Sequence, residues 1–162
     1  MDKHNSIRAA LTAAIPDLAT NPDTMLVFVE KGRVSATAVP GYSFDYSYTL
    51  NVILTDYAGS PDIVFFALLR WMELHQIDTL LNPERKASAI KFEAEMVSNA
   101  AVDLSIFIEL TESVGVRPRP GGGFDIATTP EPDYGLGTTF PARMEIYAND
   151  ALVAVIGDVD GG

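Results

Sequence analysis

The most regular stretch of the chain is SFDYSYTLNVIL. Phe44, Tyr46, Tyr48, Leu50, Val52 and Leu54 alternate there with Ser43, Asp45, Ser47, Thr49 and Asn51. A period of two over a dozen residues predicts a strand with one face on a core and the other toward water. Two later runs repeat the pattern. AIKFEAEMV carries Ile90, Phe92, Ala94 and Met96, and AVDLSIFIEL carries Val102, Leu104, Ile106, Ile108 and Leu110. If both apolar sets share one face, paired residue numbers must sum to an even number. A three-residue loop at Ser98-Asn99-Ala100, with Met96 opposite Val102, satisfies this, and a two-residue loop does not. Asn99 or Ala100 then takes the left-handed loop position, and Asn is the better candidate. MLVFVEKGRVSATAV reads as a β-hairpin turning at Lys31-Gly32.

Helical spacing appears twice. Ile7, Ala10, Leu11, Ala14, Ile15 and Leu18 form one stripe over Ser6 to Leu18, with Ser6 as its expected cap and Ile15-Pro16 as the point that ends or distorts it. SPDIVFFALLRWMELHQ opens on Ser60 as N-cap, Pro61 at the first helical position and Asp62 complementing the dipole. This helix is apolar nearly all round, and NPERK breaks the chain after it.

Beyond Val114 the sequence turns Pro- and Gly-rich, as in VRPRPGGGFDIATTPEPDYGLGTTFP, and loses its period. It reads as a long loop or extended arm. RMEIYANDALVAVI reads as a hairpin turning at Asn149-Asp150, and GDVDGG as a frayed end. The expected fold is α+β, a mainly antiparallel sheet with two main helices packed on one face, plus a C-terminal arm and hairpin. The expected division is a domain over 1–114 and an arm over 115–162.

Composition narrows the function. The 162 residues carry 22 Asp and Glu against 11 Lys and Arg, for a net charge of −11. That disfavours a protein that grips nucleic acid by its phosphates or docks on an anionic membrane. With no Cys there is no disulfide framework, zinc–thiolate site or Cys nucleophile. MDKHNSIRAALTAAIPDL has no long apolar core or cleavage pattern, and no run approaches the roughly 20 apolar residues of a membrane span. The chain reads as a soluble acidic protein made inside a cell, with no membrane partner.

The search for chemistry finds little. Asp158-Val159-Asp160-Gly161 starts like a calcium loop, but the required later acidic ligand has no place to come from. His75 has no partner at His-x-x-x-His spacing and reads as a residue favoured near a helix C-terminus. Gly121-Gly122-Gly123 lacks the Lys-Ser/Thr of a phosphate loop, and Gly135-Leu136-Gly137 lacks a third Gly. No catalytic residue, metal or cofactor is expected, and no enzyme. The outward face of the three alternating strands is instead acidic. It carries Asp45, Glu93, Glu95, Asp103 and Glu109, with Lys91 as its only base, and Glu95 falls opposite Asp103. It reads as an ordinary solvated face or as a surface that repels something, such as DNA passing through a ring. Phe65, Leu68, Leu69 and Met72 of the apolar helix are candidates for a subunit interface, against their alternative place in the chain's own core.

NSIRAALTAAIPDLATNPDTMLVFVEKGRV, FDYSYTLNVILTDYAGSPDIVFFALLRWMELHQ and FEAEMVSNAAVDLSIFIELTESV together resemble the phage tail completion protein R family of contractile-tailed temperate phages. The specific blocks are Thr55-Asp56-Tyr57-Ala58-Gly59 after the Tyr-Thr-Leu strand, the Trp71 helix followed by Gln76, and Asp103-Leu104-Ser105-Ile106 running to Leu110-Thr111-Glu112. The resemblance covers about Asn5 to Val114 and matches nothing placeable beyond it. It implies a structural virion protein that completes the tail at its head-proximal end, caps tube and sheath growth and prepares head joining. By analogy it implies a homo-oligomeric ring, with a hexamer as the expected count, touching tail tube, sheath and head–tail connector. DNA would be a non-sticking passenger through its lumen. The protein would sit in the virion tail after assembly in the bacterial host cytoplasm. The alternatives are a head–tail connector or neck protein, an assembly adaptor absent from the finished particle, and the end cap of a phage-derived contractile device.

Overall fold

The computed structural model describes residues 2–36, 41–98, 100–132, 144–148 and 150–156. In chain order, α1 spans Lys3–Ala14, α2 Pro16–Thr20, β1 Met25–Ala36, β2 Phe44–Tyr57, α3 Pro61–His75, α4 Ile77–Leu81, α5 Pro83–Lys86, β3 Ile90–Met96, β4 Val102–Pro118, β5 Phe124–Thr128, β6 Met144–Ala148 and β7 Ala151–Ile156. The main sheet is antiparallel throughout, in the order β1-β2-β4-β3, with β5 on the same side of β4 as β3. The expected α+β class, with helices on one face of an antiparallel sheet, is the fold observed. No helix among the described residues is long and apolar enough to cross a membrane.

The core lies between one sheet face and the helices α1 and α3. Tyr48, Leu50, Val52 and Leu54 of β2 and Val102, Leu104, Ile106, Ile108 and Leu110 of β4 meet Ile7 and Leu11 of α1 and Val64, Leu68 and Met72 of α3. The alternation dictates this arrangement, because every second side chain of a strand reaches the same face. The parity argument for β3 and β4 holds: Met96 pairs with Val102 and Glu95 with Asp103. The Val97 amide donates to the Ala101 carbonyl at 3.1 Å and closes the loop. Asn99 lies outside the described residues, and Ala100 is not left-handed.

The caps of α3 are as expected, with the Ser60 Oγ accepting from the Asp62 amide and Pro61 in the first turn. The cap of α1 is not. The helix starts at Lys3, three residues before Ser6, whose Oγ accepts from the Trp71 indole N–H at 2.9 Å and joins α1 to α3. The Ile15-Pro16 break is real, since Pro16 forces Ile15 into extended backbone. NPERK, read as a break, is a short helix of its own, with the Asn82 side chain accepting from the Glu84 and Arg85 amides.

Two larger corrections concern strands. The hairpin expected at Lys31-Gly32 does not form. β1 is one strand pairing with β2 along its length, and a bulge between Val29 and Lys31 shifts the register. Before the bulge Met25, Val27 and Val29 share the core face; after it Gly32, Val34 and Ala36 do. The core-face parity flips at an inserted residue, and what imitates a turn in the sequence is a Gly between two β-rich runs. Gly32 is an extended residue close against Tyr48, where an added Cβ would lie 3.6 Å from that Cβ. The second correction falls at the arm. β4 continues through Val114 to Pro118 and turns at Gly121, Gly122 and Gly123, all with positive φ, and β5 pairs back onto Val114–Pro118. The stretch read as structureless is part of the sheet as far as Thr128. The terminal hairpin forms as expected, with Ala148 opposite Ala151 and Asp150 left-handed. Asn149, residues 133–143 and 157–162 lie outside the described residues, and with them the Asp158–Gly161 and Gly135–Gly137 motifs.

Because β3 and β5 share one edge of β4, the backbone of Thr111 between them meets neither strand. Side chains replace the missing ladder. The Thr111 amide donates to Gln76 Oε1 at 3.1 Å, the Thr111 hydroxyl accepts from Gln76 Nε2 at 2.8 Å, and the Thr111 carbonyl accepts from Lys3 Nζ at 2.8 Å. Lys3 Nζ also reaches the Gln76 Oε1 at 2.9 Å, the His75 carbonyl and the Glu131 carboxylate. Gln76 is wholly buried and fully partnered, as a buried amide must be. Next to this knot the buried Glu112 carboxylate accepts from the Asp2 amide at 2.8 Å and from the Tyr48 hydroxyl. Burial, then the Glu112 carboxylate, push the Tyr48 hydroxyl well above its ordinary pKa. Burial, reinforced by the Lys3 charge and opposed by Glu131, lowers that of His75.

Candidate functional site

The face of the sheet turned away from the helices carries the residues the alternation places there. Asp45, Glu93, Glu95, Asp103 and Glu109 all lie on it. They do not form one cluster. Glu93, Glu95 and Asp103 gather at the corner where β3 meets the start of β4, while Glu109 and Asp45 lie further along. Three are held by local hydrogen bonds. Asp103 Oδ1 accepts from the Asp56 amide at 2.8 Å, Glu109 Oε1 from the Thr49 hydroxyl at 3.0 Å and Asp45 Oδ1 from the Ser113 hydroxyl at 2.7 Å. Glu93 and Glu95 are exposed, and among the described residues no ion pair neutralises either.

The bulge in β1 adds residues to this face that the sequence reading missed. Lys31 and Arg33 pair with Thr49 and Ser47 and so project outward, beside Lys91 at the far edge. Glu30 accepts from the Asn51 amide at 2.8 Å. Leu26 and Phe28, on the other side of the bulge, pair with Ile53 and Asn51, and Phe107 flanks Asn51 from β4. An apolar island therefore sits in the middle of the face, with Leu26 and Phe28 about half exposed. Residues 25–29 are all apolar and carry no alternation, so the signal was the stretch after Glu30, where Val34 and Ala36 alternate with Arg33 and Ser35.

The helix candidates separate into two groups. Leu68 and Met72 are wholly spent on the chain's own core and offer nothing to a neighbour. This corrects their place among candidate interface residues, because an α3 lying over the sheet needs them inward. Phe65 is half-buried, with its ring 4.9 Å from that of Phe92. Leu69 is 48% exposed, next to the exposed Phe66. On β3 the core-face residues Phe92 and Met96 are 56% and 71% exposed, because the Phe65 ring against Phe92 is the part of the helical layer that reaches this edge. On β1 the same face leaves Val34 60% exposed.

Among the described residues no group of His, Asp and Glu stands close enough to hold a metal. Gly121, Gly122 and Gly123 form the β4–β5 turn, where the Arg119 amide donates to the Gly123 carbonyl. The Gly122 amide donates to the Arg119 carbonyl within the same turn. The prominent surfaces are thus the mixed outer face and the two open sheet edges, which are features that meet other proteins.

Comparison with known proteins agrees with that character. The family model for the P2 phage tail completion protein R (GpR) matches residues 1–132. The match runs past Val114 and takes in β5, so the shared region is larger than the resemblance first placed. Tail completion protein R of Escherichia phage P2 is 35% identical over 154 residues, covering 95% of this chain and 97% of that protein. No solved structure matches the chain. A family match over the whole main sheet and a relative aligned nearly end to end place this chain in the phage tail completion protein R family, with a structural part in completing a virion tail.

Proposed function

We propose that this chain works as a homo-oligomeric ring, a hexamer by analogy, at the head-proximal end of the tail. There it stops growth of tube and sheath and presents a surface for head joining. Its part is structural and not catalytic. The observation that carries the reading is the alignment of almost the whole chain with a tail completion protein. The surface supports it: two sheet edges that are unpaired among the described residues and carry exposed apolar residues suit a subunit that is finished only by its neighbours. The partners are the tail tube, the sheath and the head–tail connector.

The outer face is proposed as the wall of the passage for DNA. Glu30 joins Asp45, Glu93, Glu95, Asp103 and Glu109 there, against Lys31, Arg33 and Lys91, so the face keeps a negative balance that repels a phosphate backbone. The tail-length distribution of particles made without this protein tests the function. Overlong or ragged, headless tails are expected in negative-stain electron microscopy. Tails of normal length and finish would move the protein to head joining alone, as a connector. Asp45→Lys with Glu109→Lys tests the wall. Complete particles with infectivity reduced about ten-fold or more are expected, and unchanged infectivity would remove DNA from that face.

A further inference from the structure

The two open edges of the sheet fit each other. β1 pairs only with β2 and β3 only with β4 among the described residues, so each leaves one row of backbone groups unpaired. Such rows are templates for another strand. Three antiparallel pairings separate β1 from β3, so the two run in opposite directions. A second copy set beside β3 in the same orientation therefore offers its β1 antiparallel. The edges are different surfaces, as the head-to-tail contact of a ring requires.

Side chains select the register. With no slip between copies, Val27 would face Phe92 and Leu26 would face Glu93. Lys31 and Arg33 would then project past the end of β3, since Lys31 is level with Glu109 while β3 starts level with Ile108. Strands inclined near 45°, as in closed sheets, slip by about 19 Å across four strand widths, or about six residues. That slip sets Arg33 opposite Glu93 and Lys31 opposite Glu95 on the outer face. On the core face it sets Val34 opposite Phe92 and Val29, across the bulge, beside Met96. The four charged residues are exposed, and Val34, Phe92, Val29 and Met96 are 60%, 56%, 41% and 71% exposed in the single chain. One register thus pairs both unneutralised carboxylates with cations and covers the apolar residues that the helices leave bare.

We infer that copies of this chain join by adding β1 of one to β3 of the next in this register, so that the ring is one continuous sheet. The inference rests on the reading of the protein as a ring of identical copies. The chain has no Cys, which makes cross-linking clean. Val34→Cys with Phe92→Cys should give, on oxidation of the full chain in solution and on purified particles, a ladder of covalent oligomers. Three strand widths, about 14 Å, separate β1 from β3 within one chain, beyond the reach of a disulfide, so the bond must join two copies. Val27→Cys with Phe92→Cys, the pair for zero slip, should give none. Lys31→Glu with Arg33→Glu, and separately Glu93→Lys with Glu95→Lys, should each abolish self-association in sedimentation velocity, and mixing the first with the second should restore it. No ladder from Val34→Cys with Phe92→Cys in either setting overturns the inference, as does a ladder from the zero-slip pair or a failure of mixing to rescue. The tail-length assay keeps the two levels apart. If the charge-reversed variants still end tails at normal length and no ladder forms, the edge contact fails while tail completion stands.

Discussion

Phe92 and Ile106 are paired neighbours on the same face of the same sheet, yet Ile106 is fully buried and Phe92 is 56% exposed. Their sequence contexts are alike, each an apolar residue in a two-residue alternation. The difference lies above them. α1 and α3 roof β2 and β4 and reach β3 only through the Phe65 ring against Phe92, so the same pattern builds a core at the centre and a half-covered margin at the edge. Apolar residues on such a margin are surface available to a partner, and the contrast between centre and edge separates the residues that fold the chain from those the fold leaves exposed.

Substitution breaks that contrast most strongly at the centre. Ile106→Ala leaves a cavity under the helices and should cost about 2–5 kcal/mol in chemical denaturation. Phe92→Ala should cost under about 1 kcal/mol in the same measurement, while weakening self-association in sedimentation. A comparable loss of folding stability at both positions would mean that β3 is as well covered as β4. Lys3→Met comes next. It strips the Thr111 carbonyl and Gln76 Oε1 of a buried donor and leaves Glu131 without its cation, at an expected cost of about 2–3 kcal/mol. A neutral result would show that water replaces the ammonium there.

The smallest effect is that of pH on His75. Its folded pKa lies below the ordinary value of 6.5, so below that pH the unfolded chain binds a proton that the folded one refuses. Stability should therefore fall as pH drops below about 6.5 and be untouched by this group above it. Comparing the pH profiles of the wild type and His75→Asn isolates the contribution. Identical slopes between pH 7 and 5 would exclude it.

The elements legible in the sequence were those whose physics is local or periodic. β2, β4, the β3–β4 register, the Ser60 cap and the Ile15 break each follow from spacing or from one side chain's fit. What the sequence concealed depended on partners far along the chain. Ser6 looks like a cap because its acceptor role toward Trp71 is written 65 residues away. Gly32 looks like a turn because a Gly between two β-rich runs is a turn signal, while the strand partner that keeps it extended, Tyr48, lies elsewhere in the chain. Phe92 and Met96 look like core because alternation marks a face without saying what covers it. Lys31 and Arg33 could not join the outer face until the bulge set their side. Gln76, an isolated polar residue after a helix, gave no sign that it stands in for a missing strand.

The knot at Thr111 also orders events during synthesis. Glu131, which completes the shell of oxygens around Lys3, emerges from the ribosome 128 residues after it. Until then the ammonium of α1 has the Thr111, His75 and Gln76 oxygens around it but no counter-charge. A nascent chain cut short before residue 131 should hold α1 by its apolar stripe and the Trp71 hydrogen bond, less firmly than the finished chain. The last fastening of α1 is thereby tied to the arrival of the segment after β5, so the fold reaches its full stability only once that segment has been made.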